Sequence, residues 1–140
     1  MKDSEAILQS LNALSKNTMM EHLGIVFTEY GEGFVCAKMP VDHRTHQPYG
    51  ILHGGASVVL AETLGSVASH TTIDIENQIC VGQEINANHI KSVRSGYVYG
   101  KATPIHLGKK SQVWEIRITN EDDELVCISR LTMAVLDKRK

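Results

Sequence analysis

The stretch HQPYGILHGGASVVLAETLGS, residues 46–66, combines a helix start with a long apolar run. A His-Gly-Gly tripeptide at 53–55 precedes the run, and Glu62 is the only charged side chain between residues 57 and 68. A helix that is apolar on nearly all sides is normally buried. Because burying an unpaired carboxylate is unfavourable, Glu62 is expected to have a partner or a chemical role.

The flanking sequence predicts strands that enclose this helix. Before it, the pattern indicates a short amphipathic helix over 5–14 and strands over 24–30 and 34–41. After it, three strands are predicted, over 79–90, 112–119 and 124–136, whereas residues 97–108, which follow a turn at 95–96, are assigned no strand. Short turns favour antiparallel pairing, and a sheet that curls around an apolar helix buries both. We therefore expect one α+β domain over residues 1–140.

Composition excludes several function classes. A hydrophobic content of 42%, a charged content of 21% and a net charge of −2 are typical of a soluble globular protein, and they favour neither nucleic acid nor an anionic membrane as a partner. Cys36, Cys80 and Cys127 are scattered, which suits core packing in a reducing compartment. No apolar segment resembles a signal peptide or a membrane span, so a cytoplasmic location is expected.

The central helix offers two kinds of chemistry. The backbone N–H groups of Gly54 and Gly55 at its start could form an oxyanion hole or an anion site, although two glycines could also serve only close packing against a sheet. Glu62 could act as a general base, with Ser66 one turn later on the same face. A purely structural, hydrogen-bonded Glu62 is the alternative.

The spacing between these groups predicts a shared site. Gly54 and Glu62 are eight residues apart, which corresponds to about 12 Å along a helix and to different helix faces. One carbonyl group cannot touch both groups of the same helix. If both belong to one acyl-transfer site, a second copy of the chain must supply one of them across a two-fold axis.

Other polar residues give weaker signals. The seven histidines lack HxxxH or HExxH spacing, so no metal site is predicted. His53 could contact a ligand or simply cap the helix, and His89 could be structural. Basic residues near predicted turns, accompanied by Ser92 and Ser111, could bind phosphate groups or only face solvent: Lys91, Arg94, Lys109 and Lys110.

Three blocks resemble a known family: HQPYGILHGGASVVLAETLGSVA, GQEINANHIKSVRSG and TPIHLGKKSQVWEI. They are similar to the PaaI-like hotdog-fold acyl-CoA thioesterases, and most similar to the branches that act on 1,4-dihydroxy-2-naphthoyl-CoA in menaquinone synthesis or proofread enterobactin synthesis. The resemblance implies a hotdog fold, in which a long central helix is wrapped by a curved antiparallel sheet. It also implies a homodimer or homotetramer with shared active sites, and no cofactor, because CoA is part of the substrate.

The resemblance also implies roles for individual residues. Glu62 would be the nucleophile or general base, Gly55 would supply an oxyanion-hole N–H with help from Gln47 and His53, and Ser66 and His89 would lie on the side of the water or the departing thiolate. Val67 would line the acyl pocket. CoA would lie against Gly82, the segment His89, Ile90, Lys91 and Ser92, and the segment His106, Leu107, Gly108, Lys109, Lys110 and Ser111.

These features together predict a thioesterase acting on an aromatic or medium-length acyl-CoA, with a carrier-protein thioester as the alternative substrate. A hotdog dehydratase acting on 3-hydroxyacyl thioesters would also use an acidic residue and a histidine, but it would release no free thiol. A non-catalytic acyl-CoA sensor would bind CoA esters without releasing thiol, and the chain shows no DNA-binding segment to support that role.

Overall fold

A computed structural model describes residues 4–139. Three helices and six strands follow one another along this part of the chain: α1 (Ser4–Leu14), α2 (Met19–His22), β1 (Val26–Gly31), β2 (Phe34–Pro40), α3 (Gly54–His70), β3 (Gln78–His89), β4 (Tyr97–Leu107), β5 (Ser111–Thr119) and β6 (Leu125–Asp137). None of these helices is long and apolar enough to cross a membrane.

The six strands form one antiparallel sheet in the order β1-β2-β4-β5-β6-β3, and α3 packs across one face of it. Leu60 and Leu64 of α3 are fully buried against Trp114, Ile116 and other core-facing side chains of the sheet. The predicted arrangement of a sheet around a long apolar helix is therefore confirmed. The prediction that all three cysteines lie in the core is partly wrong, because Cys36 is only half-buried.

The number of strands after the central helix differs from the prediction. Strand β4 occupies residues for which the sequence pattern predicts no strand, so four strands follow α3 instead of three. Pro104 lacks the N–H that a regular ladder needs, and the pairing of β4 with β5 shifts register between Pro104 and His106. The proline that interrupts the strand pattern in the sequence therefore coincides with a break in the hydrogen-bond ladder of β4.

Strand β3 contains a β-bulge that explains its uneven alternation. Its pairing with β6 shifts between Gly82, which faces Met133, and Glu84, which faces Thr132, so Gln83 is the extra residue. Because one residue is inserted, Gly82 on one side of the bulge and His89 on the other both point toward α3. The bulge thus allows one strand to present both residues to the helix.

Candidate active site

Glu62 lies on the exposed face of α3, next to the edge strand β3 of the sheet. This face borders a cleft of about 350 Å³, which we call the Glu62 cleft, and its lining is apolar apart from Glu62 and two hydroxyl groups: Met19, Met20, Val59, Glu62, Thr63, Ser66 and Val67. The prediction that Glu62 is buried is wrong for the single chain, because its side chain is exposed. The buried side of α3, which includes Leu60, Ala61 and Leu64, is the side that packs against the sheet.

The Glu62 carboxylate lies directly beside Gly82 of β3. A Cβ atom at Gly82 would be 2.7 Å from Glu62 Oε2, well inside van der Waals contact. Within residues 4–139 the carboxylate accepts no side-chain or backbone hydrogen bond and forms no ion pair. Glu62 therefore has no structural partner that would account for it, and its oxygens face the cleft.

A second cleft, of about 280 Å³, opens at the N-terminus of α3. We call it the Gly54 cleft, and it is lined by Ile51, Leu52, Gly54, Ser57, His89, Ile90, Lys91, Ser92 and Val126. The ring of His89 lies over the first helical residue, since a Cβ at Gly54 would be 2.9 Å from His89 Nε2. Only a glycine at position 54 lets this imidazole approach the helix end so closely.

His53 caps α3, as one of the two alternatives for it predicted. Its Nδ1 accepts a hydrogen bond of 2.8 Å from the Gly55 N–H. The cap requires an unprotonated Nδ1. The His53 side chain also occupies the Gly55 N–H, which the resemblance assigns to an oxyanion hole. A substrate oxygen could bind there only after the imidazole turned aside, and the His53 side chain is exposed.

The loop before α3 holds Gln47 near the same helix end. Gln47 donates its backbone N–H to the Ile51 carbonyl at 2.9 Å, and its side-chain oxygen accepts the Tyr49 N–H. At the start of the loop, hydrogen bonds from Arg44 lower the pKa of the Asp42 carboxyl to about 2. The loop therefore enters the helix with a defined shape, which fixes the position of Gln47.

The residues implied to bind CoA fall into two groups that are far apart in one chain. The backbone N–H of Lys91 donates to Val126 at the start of β6, whereas the carbonyl of Lys110 accepts from Val135 near its end. Nine residues of strand separate these points, which is about 30 Å. The segment 106–111 lies near the Glu62 cleft, because Val135 pairs with Cys80, two residues before Gly82.

The predicted site residues are thus distributed over two separate groups within the chain. Glu62, Ser66, Val67 and Gly82 belong to the first, and Gln47, His53, Gly55 and His89 belong to the second. Ser66 and His89, grouped by the resemblance, are not brought together in one chain. Met19 and Met20 of α2 were missed, although Thr18 is a typical N-cap residue and marks the start of that helix.

Comparison with known proteins identifies the family. The model of the Thioesterase superfamily matches residues 49–127, which include all of α3 and most of the sheet. The chain belongs to the thioesterase superfamily. It is therefore a thioester hydrolase, and the helix and curved antiparallel sheet described above are its hotdog fold.

Individual thioesterases resemble it over nearly their whole length. The proofreading thioesterase EntH of Cronobacter sakazakii is 54% identical over 92% of this chain and 93% of that protein. The 1,4-dihydroxy-2-naphthoyl-CoA hydrolase of Escherichia coli is 51% identical over 92% of this chain and 94% of that one. A crystal structure of a thioesterase from Haemophilus influenzae superposes with a TM-score of 0.90 at 52% identity and covers 93% of this chain and 90% of that chain.

Proposed function

We propose that this thioesterase hydrolyses an aromatic or medium-length acyl-CoA thioester at a site shared by two copies of the chain. The observation that carries the proposal is the unpartnered Glu62 carboxylate in an apolar cleft, with the N-terminus of α3 opening into a separate cleft. An apolar acyl group fits the first cleft, and the basic groups suit the phosphates of CoA. The similarity to the Escherichia coli hydrolase favours 1,4-dihydroxy-2-naphthoyl-CoA, and therefore menaquinone synthesis, as the first candidate.

The chemistry assigns one task to each half-site. In the general-base route, Glu62 removes a proton from water, the oxygen adds to the thioester carbonyl, and the carbon–sulfur bond then breaks to give a carboxylic acid and a thiol. In the nucleophilic route, the Glu62 carboxylate attacks and the resulting anhydride is hydrolysed by water. In both routes the Gly55 N–H stabilises the oxyanion, with support from the partial positive charge of the helix end.

The exposed edge of β3 supports the proposed two-fold arrangement. Among the residues that the structure describes, this twelve-residue strand is paired with β6 alone, so its other edge is available to pair with a second copy. In an antiparallel pairing centred on Asn86, with Gln83 as the extra residue of the bulge, Gly82 of one chain lies opposite His89 of the other. Because Gly82 adjoins Glu62 and His89 adjoins Gly54 in each chain, the same axis places each Glu62 cleft beside the second copy's Gly54 cleft.

The same arrangement would bring the two groups of basic residues close together. Segments 89–92 and 106–111 lie about 30 Å apart within one chain, measured along β6. Exchange across the proposed axis moves the second copy's segment 89–92 to the end of the sheet that carries Lys109 and Lys110. One CoA molecule could then contact both segments, as the resemblance implies.

Replacing Glu62 by Gln tests the proposal. Glu62→Gln should lower kcat for acyl-CoA hydrolysis by at least about a thousandfold, because the amide neither accepts the proton nor attacks the carbonyl. The exposed Glu76→Gln is the matched control and should retain wild-type activity. Thiol release is measured with a colorimetric thiol reagent, and circular dichroism confirms folding. Full activity in Glu62→Gln would refute the role of Glu62.

The same thiol-release assay tests which class of thioester the enzyme prefers. Naphthoyl-CoA, benzoyl-CoA, straight-chain acyl-CoA and aryl thioesters on a carrier protein are compared by kcat/KM. Preference for an aryl-CoA over the matching carrier-protein thioester would support the proposal. Preference for the carrier-protein form would instead favour a proofreading role, in line with the name of the Cronobacter sakazakii relative.

A further inference from the structure

Helix α2 forms one wall of the Glu62 cleft. Met19 and Met20 are the two residues of this one-turn helix that line it, and the opposite wall comes from α3 through Val59, Thr63 and Val67. No other element contributes to the lining among residues 4–139. The space open to an acyl group beside Glu62 is therefore bounded by two methionine side chains from a different part of the chain.

Local hydrogen bonds hold α2 in this position. The Thr18 hydroxyl accepts from the Met20 N–H at 3.2 Å and donates to the Ser15 carbonyl at 2.6 Å. Glu21 accepts from the Asn17 N–H at 2.9 Å, and the Ile25 N–H donates to the Met20 carbonyl at 2.9 Å, which ties the helix to the start of the sheet. The wall is thus a built feature and does not depend on substrate to form.

The two methionines differ in how firmly they are held. Met20 is partly buried and packs against the hydrophobic core, whereas 59% of Met19 is exposed. An unbranched thioether side chain has several rotatable bonds and adapts to differently shaped apolar groups. Met20 therefore forms the part of the wall that is held in place, whereas the exposed Met19 side chain can adjust its conformation.

We propose that Met19 and Met20 are specificity-determining residues that set the size of the acyl group this thioesterase accepts. The inference rests on the proposed function, because it requires the acyl group to lie beside Glu62. The cleft holds one charged group and is otherwise mainly apolar, so it selects by shape and apolar contact. In such a pocket, one methylene group typically changes kcat/KM by about tenfold.

Substitutions at Met19 test the assignment, because its exposure means that they should leave folding intact. The readout is the ratio of kcat/KM for naphthoyl-CoA to that for benzoyl-CoA. Met19→Ala should raise the ratio by about tenfold by widening the cleft, and Met19→Trp should lower it by a similar factor. Leu14→Ala is the matched control: Leu14 is 73% exposed, lies outside the cleft, and should leave the ratio unchanged.

Two further variants separate a failure of this assignment from a failure of the proposed function. Met20→Leu keeps the volume while changing the shape and should shift the ratio in either direction by more than about threefold. Ratios within about twofold of wild type for all three methionine variants would overturn the assignment, while loss of hydrolysis in Glu62→Gln would leave the proposed function standing. Full hydrolysis by Glu62→Gln would instead overturn the proposed function itself.

Discussion

Glu62 and Gly82 act as a pair in which the glycine leaves room for the carboxylate. Gly82 is exposed, and its backbone does not adopt the left-handed conformation that would by itself require glycine. A Cβ atom added at position 82 would lie 2.7 Å from Glu62 Oε2. The absence of a side chain at position 82 is therefore explained by the position of the Glu62 carboxylate.

Gly82→Ala should accordingly impair catalysis without unfolding the protein. The methyl group would push the carboxylate aside by about 1 Å, and displacements of that size lower kcat by about 10- to 100-fold. Because the displaced group is the end of a flexible side chain, the free energy of unfolding should change by less than about 1 kcal/mol. Steady-state kinetics and urea unfolding measure the two effects.

The adjacent Gln83→Ala serves as the control for that experiment. Gln83 is exposed and is the inserted residue of the bulge, so its side chain has no cross-strand counterpart in β6. Wild-type kinetics are expected for it. Equal activity in Gly82→Ala and Gln83→Ala would mean that the place of the Glu62 carboxylate is unimportant for turnover.

At the scale of elements, the sequence predicts what depends on periodicity and misses what depends on register. The apolar run after His53 was enough to predict α3, and the clean alternation of 112–119 was enough for β5. The exposure of Glu62 was not predictable, because a helix that is apolar all round does not indicate which side the sheet covers. The strand β4 was missed because Pro104 interrupts the pattern at its bulge.

The two edge strands of the sheet, β1 and β3, differ in what binds along their outer edge. At β1, the Asn12 side chain of α1 donates to the Phe27 carbonyl at 3.1 Å and accepts from the Phe27 N–H at 2.9 Å. The amide thus binds the strand edge as a neighbouring strand would, next to the bulge between Phe27 and Glu29. Edge strand β3 has no such side chain on it within residues 4–139, which favours β3 as the edge for self-pairing.

Asn12→Ala tests this function of α1. Two hydrogen bonds to partly buried backbone groups would be lost, so the free energy of unfolding should fall by about 1–3 kcal/mol. The measurement is urea unfolding at fixed protein concentration. Gln9→Ala is the control on the exposed face of the same helix and should change stability by less than about 0.5 kcal/mol. Equal stabilities of the two variants would contradict a stabilising role for Asn12.

At the scale of the whole molecule, the spacing within α3 already predicted two half-sites, because eight residues of helix are too long for one carbonyl to span. The sequence could not indicate that Gly82 accompanies Glu62 in one half and that His89 accompanies Gly54 in the other. That depends on the register of β3 against β6 and on the bulge at Gln83, which together set Gly82 beside Glu62 and His89 beside Gly54. Strand register is a long-range property that the local pattern does not encode.

If the site is shared, two inactive variants should complement each other in a mixed dimer. Glu62→Gln disables one half-site, and Gly55→Pro disables the other by removing the Gly55 N–H. A mixed dimer contains one site with both halves native. Co-refolding equal amounts should make half of the dimers mixed, and the activity should recover to about a quarter of the wild-type value. Two different affinity tags, one on each variant, verify that mixed dimers form.

The control for complementation combines two defects in the same half-site. Glu62→Gln and Gly82→Ala both affect the Glu62 cleft, so a mixed dimer of these variants contains no intact site and should gain nothing over the Gly82→Ala protein alone. Recovery with Gly55→Pro but not with Gly82→Ala is the pattern that a two-fold shared site requires. If tagged mixed dimers form and the first pair stays inactive, Glu62 and the helix N-terminus do not act on one thioester across the axis, because a site built within a single chain cannot be restored by a second copy.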